Sequence, residues 1–327
     1  MKRRHFVKGA FATAAAISLN REASAANTEE IPRRALGRTG EQVSIIGIGG
    51  FHLSIPSEKE AIAIVRRGID GGITFVDNCW DYADGKSEER AGKALRDGYR
   101  ERAFLMTKID GRTAQSAMKQ LDESLMRLQT DHVDLLQFHE IIRPNDPARI
   151  FAKGGAIEAL VKAREQGKTR FIGFTGHKSP TLHQSMLDAA AQYGFRFDAV
   201  QLPLNVMDAH HDSFEKKILP GLVKDEIAVL GMKPLGAPYI LDSKTVSAVD
   251  CLRYAMSLPV SVTITGIDSL KVLDQAFAVA RGFKPLSQEQ RLAMLAKTQK
   301  AASDGKFERY KTSETFDGTT RHPEWLG

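Results

Sequence analysis

From Gln42 onward the chain alternates short apolar, β-rich runs with amphipathic stretches of helical period, as expected of a parallel sheet covered by helices. Eight runs read as strands: VSIIGIG, ITFVDN, AFLMTKI, VDLLQFH, FIGFTG, FDAVQLPL, IAVLGMKP and SVTITG. Helices are predicted to begin near Ser57, Ser87, Ala114, Ala156, Ser179, Phe214, Ser247 and Ser269, several on a serine followed by Glu or Lys. Eight βα pairs predict a (β/α)8 TIM barrel. A doubly wound sheet would need a reversal of strand order and a dinucleotide fingerprint. The one candidate, GIGG at Gly47 to Gly50, lacks the last spaced glycine of G-x-G-x-x-G. Upstream, RRALGRTGEQV carries turn residues Gly37 and Gly40 and predicts an N-terminal β-hairpin. Downstream, LSQEQRLAMLAKTQKAAS predicts an extra C-terminal helix, followed by a loop-like tail through Trp325.

Residues 1–26 do not share this pattern. They open with a basic head (Lys2, Arg3, Arg4, Lys8), continue with an Ala-rich apolar stretch from Gly9 to Leu19, and end at a small-x-small site, Ala23-Ser24-Ala25. The apolar stretch is too short to span a bilayer, so the segment reads as a cleavable signal ahead of one barrel domain over residues 27–327. Arg3-Arg4 followed by Phe6 and Lys8 resembles a twin-arginine export signal, which makes the export machinery a partner and the bacterial periplasm the expected location. No other run approaches membrane-spanning length, so no stable membrane anchor is expected. The segment also carries net +4 of the chain's formal +6, so the basic character belongs to the signal. Without a basic stripe interleaved with aromatics, nucleic acid is not an expected partner. Two cysteines, Cys79 and Cys251, make no disulfide framework and no C-x-x-C metal motif.

Chemistry gathers at the predicted strand ends. The second strand ends in Asp77, with Tyr82 five residues later; the third ends in Lys108 and the fourth in His139. In a βα barrel those ends converge on one mouth. Carbonyl reduction needs a proton delivered to oxygen, and a free tyrosine, with pKa about 10, donates poorly unless its phenolate is favoured. An ammonium such as Lys108 does this, Asp77 can anchor the lysine, and His139 can polarise the carbonyl. Taken singly, each has a structural reading: Asp77 a cap, Tyr82 a packed loop aromatic, Lys108 an ion-pair member, His139 a satisfied barrel histidine. Their placement at the ends of three successive strands points instead to a shared proton-handling role.

These motifs resemble the aldo-keto reductase family over most of the chain after the signal. RRALGRTGEQVSIIGIGG is similar to the family's opening hairpin and first strand, ITFVDNCWDYADGKSEERAGKAL to its Asp-to-Tyr signature, and LDESLMRLQTDHVDLLQFH to its third helix and fourth strand. The resemblance implies a barrel that binds a nicotinamide cofactor, NADP(H) or NAD(H), without a Rossmann fold and without a metal, and acts on a small carbonyl or alcohol. It implies Asp77, Tyr82, Lys108 and His139 as catalytic residues. It also implies cofactor contacts from Gly50, Thr175, Gln201, Met232, Lys233, Leu235, Gly266, Asp268 and Gln275, with Phe51 and Trp80 lining the substrate pocket. Gln201 matches the family's carboxamide-binding glutamine, whereas other positions depart from its pattern. Thr175-Gly176 replaces the usual Ser-Asn, Met232 stands for the nicotinamide-stacking tyrosine, Asp268 for a basic residue near the 2′-phosphate, and Gln275-Ala276 for Glu-Asn. An acid at Asp268 leaves the choice between NADP and NAD open.

Two other classes compete. A barrel metallohydrolase also uses His and Asp at strand ends, but the His-x-His expected after strand one reads GFHL, and His210-His211 lacks spaced partners. A sensory or otherwise non-catalytic barrel could keep both fold and cofactor, since a fold does not establish turnover. Cys79 lies beside the cluster with no identifiable base, and EIIRPNDPARIF after His139 is expected to shape the pocket.

Overall fold

The computed structural model describes residues 30–327; the signal reading of residues 1–26 therefore lies outside the described residues. The strands are β1 (Arg33–Ala35), β2 (Gln42–Ser44), β3 (Ile46–Gly49), β4 (Phe75–Asp77), β5 (Phe104–Ile109), β6 (Val133–Phe138), β7 (Thr169–Thr175), β8 (Ala199–Pro203), β9 (Ala228–Met232) and β10 (Val262–Gly266). The helices are α1 (Glu58–Asp70), α2 (Lys86–Ala94), α3 (Ala114–Leu128), α4 (Asp146–Ile150), α5 (Ala156–Glu165), α6 (Pro180–Tyr193), α7 (Phe214–Lys217), α8 (Leu219–Lys224), α9 (Ala248–Ser257), α10 (Leu270–Ala280), α11 (Gln288–Ala302), α12 (Arg309–Thr312) and α13 (Gly318–Arg321). β3 to β10 close into an eight-stranded parallel barrel, β10 pairing with β3. This is the (β/α)8 fold, with its N-terminal hairpin and added C-terminal helix.

Strand parity explains what the barrel contains. Phe75, Phe104, Met106, Leu135, Ala199, Ala228, Leu230, Val262 and Ile264 form an inner apolar cluster. Their strand neighbours, such as Val76, Leu105, Leu136, Val200 and Val229, join the larger cluster between sheet and helices. The hairpin closes the N-terminal end, because its Leu36 and Val43 pack into the inner cluster. At Gly37, with φ +54°, a Cβ would stand 2.5 Å from the Ala228 nitrogen, so only glycine lets the turn approach this closely.

Two expectations need correction. VSIIGIG is not one strand: Val43 and Ser44 pair antiparallel with Arg34 and Arg33, and only Ile46–Gly49 enters the barrel. The break is pinned where Ser44 Oγ donates to the Ile46 carbonyl and the Ile45 amide donates to Pro32. The tail is not a plain loop either. It carries α12, α13 and a terminal 3-10 turn, held by side chains at the strand ends. Glu140 accepts from the amides of Gly318 and Thr319, and Asp317 pairs with His177 and Lys178.

Serine caps fix where the helices begin. The side chains of Ser57, Ser179, Ser213, Ser247, Ser269 and Ser287 each accept from an amide of the first turn. Ser87 is the exception among the predicted starts, since α2 begins a residue earlier, after Gly85, and the Ser87 hydroxyl donates to the Gly50 carbonyl.

Candidate active site

The inward parity that fills the barrel with apolar side chains continues at its C-terminal end with polar ones. Asp77 follows Phe75 by two residues, Lys108 follows Met106, Gln201 follows Ala199, Met232 follows Leu230 and Gly266 follows Ile264; His139 and Thr175 stand four beyond Leu135 and Phe171. One layer of the barrel thus holds residues from seven strands or their immediate ends.

Lys108 is the hub. Its buried ammonium donates to Asp77 Oδ1 at 2.5 Å, to the Asn78 carbonyl at 2.7 Å and to Tyr82 Oη at 3.2 Å, which uses all three of its protons. Gln201 Nε2 donates to the other Asp77 oxygen at 3.4 Å. Tyr82 comes from the loop after β4, where Ala83, Asp84 and Gly85 all take positive φ. Two non-glycine residues in that region cost about 1–3 kcal/mol each, strain that the surrounding contacts must offset to present the phenol. The Tyr82 ring meets Phe51 edge-on at 5.6 Å and His139 at 5.8 Å.

Electrostatics revise one expectation. Burial, followed by the charges of Asp77, Cys79, Asp81 and Glu140, pushes the Tyr82 phenol well above its ordinary value despite the adjacent ammonium. The phenol is therefore held protonated rather than poised as phenolate, and the adjacent ammonium matters when the proton leaves. Cys79 is fully buried, its thiol raised by burial and bonded to the Lys108 carbonyl at 3.6 Å, and it is not set up as a nucleophile.

Two aspartates absent from the sequence-derived set belong here. His139 Nδ1 lies 2.9 Å from Asp110 Oδ1 and 3.5 Å from Asp81 Oδ1. Asp110 was within reach of strand alternation, being two residues beyond Lys108 on the same inward face. Asp81 carried no such signal, since it sits in the irregular loop before Tyr82. Burial pushes the Asp81 carboxyl up to about 6 against the pull of His139. Cys79, Asp81, Asp110 and His139 bring ligand-type atoms within 4.8 Å of one another. Behind them the fully buried Arg112 donates to the carbonyls of Asp110, His139 and Glu140 and pairs with Asp146 at 3.0 Å, which ties the RPNDP segment to the site.

The residues expected around a cofactor divide into groups. Thr175, Met232 and Gly266 end β7, β9 and β10, Gln201 lies in the middle of β8 between β7 and β9, and Gly50 follows β3, where a Cβ would meet the Asp77 carbonyl at 2.3 Å. Gln201 Oε1 is buried without a hydrogen-bond partner among the described residues. An orphaned acceptor beside Thr175 and Met232 fits the amide of a nicotinamide, so this layer suits the group the resemblance implied. Lys233 has φ +53°, and burial pulls its ammonium down to about 8; it lies 4.8 Å from the Phe316 ring centre and 5.3 Å from that of Tyr310. Leu235 packs on the outer core, and Asp268 is half-buried near His52, whose ring overlies Gly266. Gln275 is exposed on α10, in a surface groove with Val249 and Arg253, and joins none of these residues. Phe51 is 55% exposed beside Tyr82, while the Trp80 indole donates to Glu123 and meets Trp325 edge-on.

Fold and site together define a βα barrel with a proton-handling centre at its C-terminal mouth. The model of the Aldo/keto reductase family matches residues 45–249, and the chain belongs to that family. It is 37% identical over 159 residues to L-galactose dehydrogenase of Arabidopsis thaliana, covering 45% of this chain and 49% of that protein. It is also 37% identical over 132 residues to a methylglyoxal reductase of Escherichia coli, covering 39% and 44%. The chain thus spans about half the length of these relatives. Among solved structures, the holo form of an aldo-keto reductase from Bacillus halodurans superposes with a TM-score of 0.69 at 20% identity, covering 82% of this chain and 96% of that one, a likeness of fold.

Proposed function

We propose that the protein is a nicotinamide-dependent oxidoreductase that interconverts an aldehyde, ketone or sugar and the corresponding alcohol by hydride transfer. The observation that carries this reading is the Lys108 ammonium bonded at once to Asp77 and Tyr82, in a layer where Gln201 Oε1 is left unpaired. When bound, the nicotinamide supplies or accepts the hydride. Tyr82 Oη passes its proton to the carbonyl oxygen, and Lys108, 3.2 Å away, stabilises the phenolate left behind. Asp77 keeps Lys108 charged and in place, and His139 orients and polarises the carbonyl oxygen. Gln201 and Thr175 would hold the carboxamide and Met232 would pack on the ring through its sulfur. Gly50, Lys233, Leu235, Gly266 and Asp268 complete the proposed cofactor set, with Gln275 apart from it on the surface of α10, and Phe51 and Trp80 form the substrate wall.

L-galactose and methylglyoxal, named in two of the relatives, are the first substrates to try. Protein loaded with NADPH or NADH and mixed rapidly with a carbonyl panel is expected to oxidise the nucleotide. Binding of nucleotide with no oxidation by any carbonyl would leave a non-catalytic, sensory type of barrel.

Cofactor choice is proposed to turn on Asp268, whose charge opposes a 2′-phosphate and suits a ribose hydroxyl. Asp268→Arg is expected to move the NADP-to-NAD affinity ratio toward NADP by about 10-fold, on the order of 1–2 kcal/mol for a charge-assisted contact. Titration of both nucleotides against both proteins measures it, and an unchanged ratio would remove Asp268 from that contact.

Export is also part of the proposal. A twin-arginine signal over residues 1–26 would deliver a folded barrel, residues 27–327, to the periplasm. Replacing Arg3 and Arg4 together by lysine is expected to leave the precursor in the cytoplasmic fraction. Undiminished export of that variant would reduce the segment to an ordinary signal.

A further inference from the structure

His139 has two ring nitrogens with different tasks. Nδ1 faces two carboxylate oxygens, Asp110 Oδ1 at 2.9 Å and Asp81 Oδ1 at 3.5 Å. Ionised carboxylates only accept, so Nδ1 must carry a proton. In a neutral ring that assignment leaves Nε2 a bare acceptor. Nε2 makes no hydrogen bond to the described residues and is the nitrogen left for a ligand beside Tyr82. A bare acceptor there would repel a carbonyl oxygen rather than polarise it.

We propose that Asp81 and Asp110 are positioning residues that clamp Nδ1 and hold His139 as an imidazolium, so that Nε2–H meets the substrate oxygen as a charged donor. This rests on the proposed carbonyl chemistry for its use but not for its detection. The surroundings are consistent in charge. Asp81, Tyr82 and Cys79 lie by the ring from the loop after β4, Asp110 just past the end of β5, and Glu140 is the next residue in the chain, while the Arg112 guanidinium donates to the His139 carbonyl. Asp110 is fully buried and its second oxygen has no partner among the described residues, so its charge is directed at the histidine. Burial works against the imidazolium, but the two aspartates and the hydrogen bond from His139 to Asp110 outweigh it, and the ring's pKa rises above its ordinary value. The charged form is therefore held to higher pH than in free histidine, and it is lost as pH rises through that raised pKa. The carbonyl receives hydride and the Tyr82 proton as before, and His139 keeps both of its own.

The test is an NMR titration of full-length protein with labelled histidine, in which His139 is assigned by the signal missing from His139→Gln. His139 should titrate above free histidine. Asp110→Asn and Asp81→Asn should each lower the midpoint by about one unit or more, and Asp110→Glu, which keeps the charge, should retain most of the shift. In turnover, the alkaline decline of kcat/KM for carbonyl reduction should move to lower pH in both Asn variants, with activity recovered on acidification. A wild-type midpoint at or below that of free histidine would overturn the clamp even if the enzyme reduces carbonyls well. A raised midpoint in a protein without turnover would instead leave the clamp standing and remove the proposed function. Should Asp110→Asn fail to fold, the wild-type and Asp81→Asn titrations still decide. Stoichiometric zinc in the purified protein, absent from Asp81→Asn, would also overturn the proposal, because a cation on Nδ1 displaces its proton.

Discussion

Tyr82→Phe is expected to lower the rate of carbonyl reduction by about 10²–10⁴, the usual worth of a positioned acid, while nucleotide affinity stays near wild type. The substitution removes one oxygen and little else. Lys108 keeps its bonds to Asp77 and the Asn78 carbonyl, and the ring keeps its edge contacts with Phe51 and His139. The lost hydrogen bond is worth about 1–3 kcal/mol at most, so the variant should fold and bind. Burial and acidic neighbours already hold the phenol protonated, so the substitution takes away the proton donor that Lys108 contacts. Single-turnover oxidation of bound reduced nucleotide isolates this step from product release. A variant that reduces carbonyls within a few-fold of wild type would take the proton transfer away from Tyr82 and give it to His139 or water.

The barrel was legible because period two is a local signal. Each strand run alternates between the inner cluster and the helix-facing cluster, and the same alternation carries Asp77, Lys108 and Gln201 into the mouth. Where structure depends on pairing between distant segments, the sequence said less. The split of VSIIGIG follows from Val43 and Ser44 finding Arg34 and Arg33 across a turn, which no pattern inside the run announces. The tail has too few residues per helix for a periodic signal; its order comes from Glu140, His177 and Lys178 far upstream. The same limit hid the partners of His139, because a contact between the residue after β6, the end of β5 and the loop after β4 is a property of barrel closure. The surroundings of Tyr82 show the same limit. Asp77 and Asp81 stand close to the tyrosine in the chain, but only the fold brings Lys108 and Glu140 to it as well.

Lys108→Met should be damaging in two separable ways. Methionine has nearly the length of lysine and no charge, so the fully buried position is filled but Asp77 loses its ion pair. Gln201 Nε2, at 3.4 Å, is then the only side-chain donor left to Asp77 among the described residues. Removing one partner of a buried pair costs about 3–5 kcal/mol, which for a barrel of this size lowers Tm by several degrees. The chemical loss comes on top, since the phenolate formed when Tyr82 gives up its proton has no other cation within hydrogen-bond reach among the described residues, and turnover should fall by about 10² or more. A second variant separates the two effects. Adding Asp77→Asn to Lys108→Met removes the uncompensated carboxylate, so thermal stability should largely return while reduction stays lost. If the double variant regained activity along with stability, Lys108 would be a structural counter-ion for Asp77, and stabilisation of the Tyr82 phenolate would have to come from elsewhere in the site.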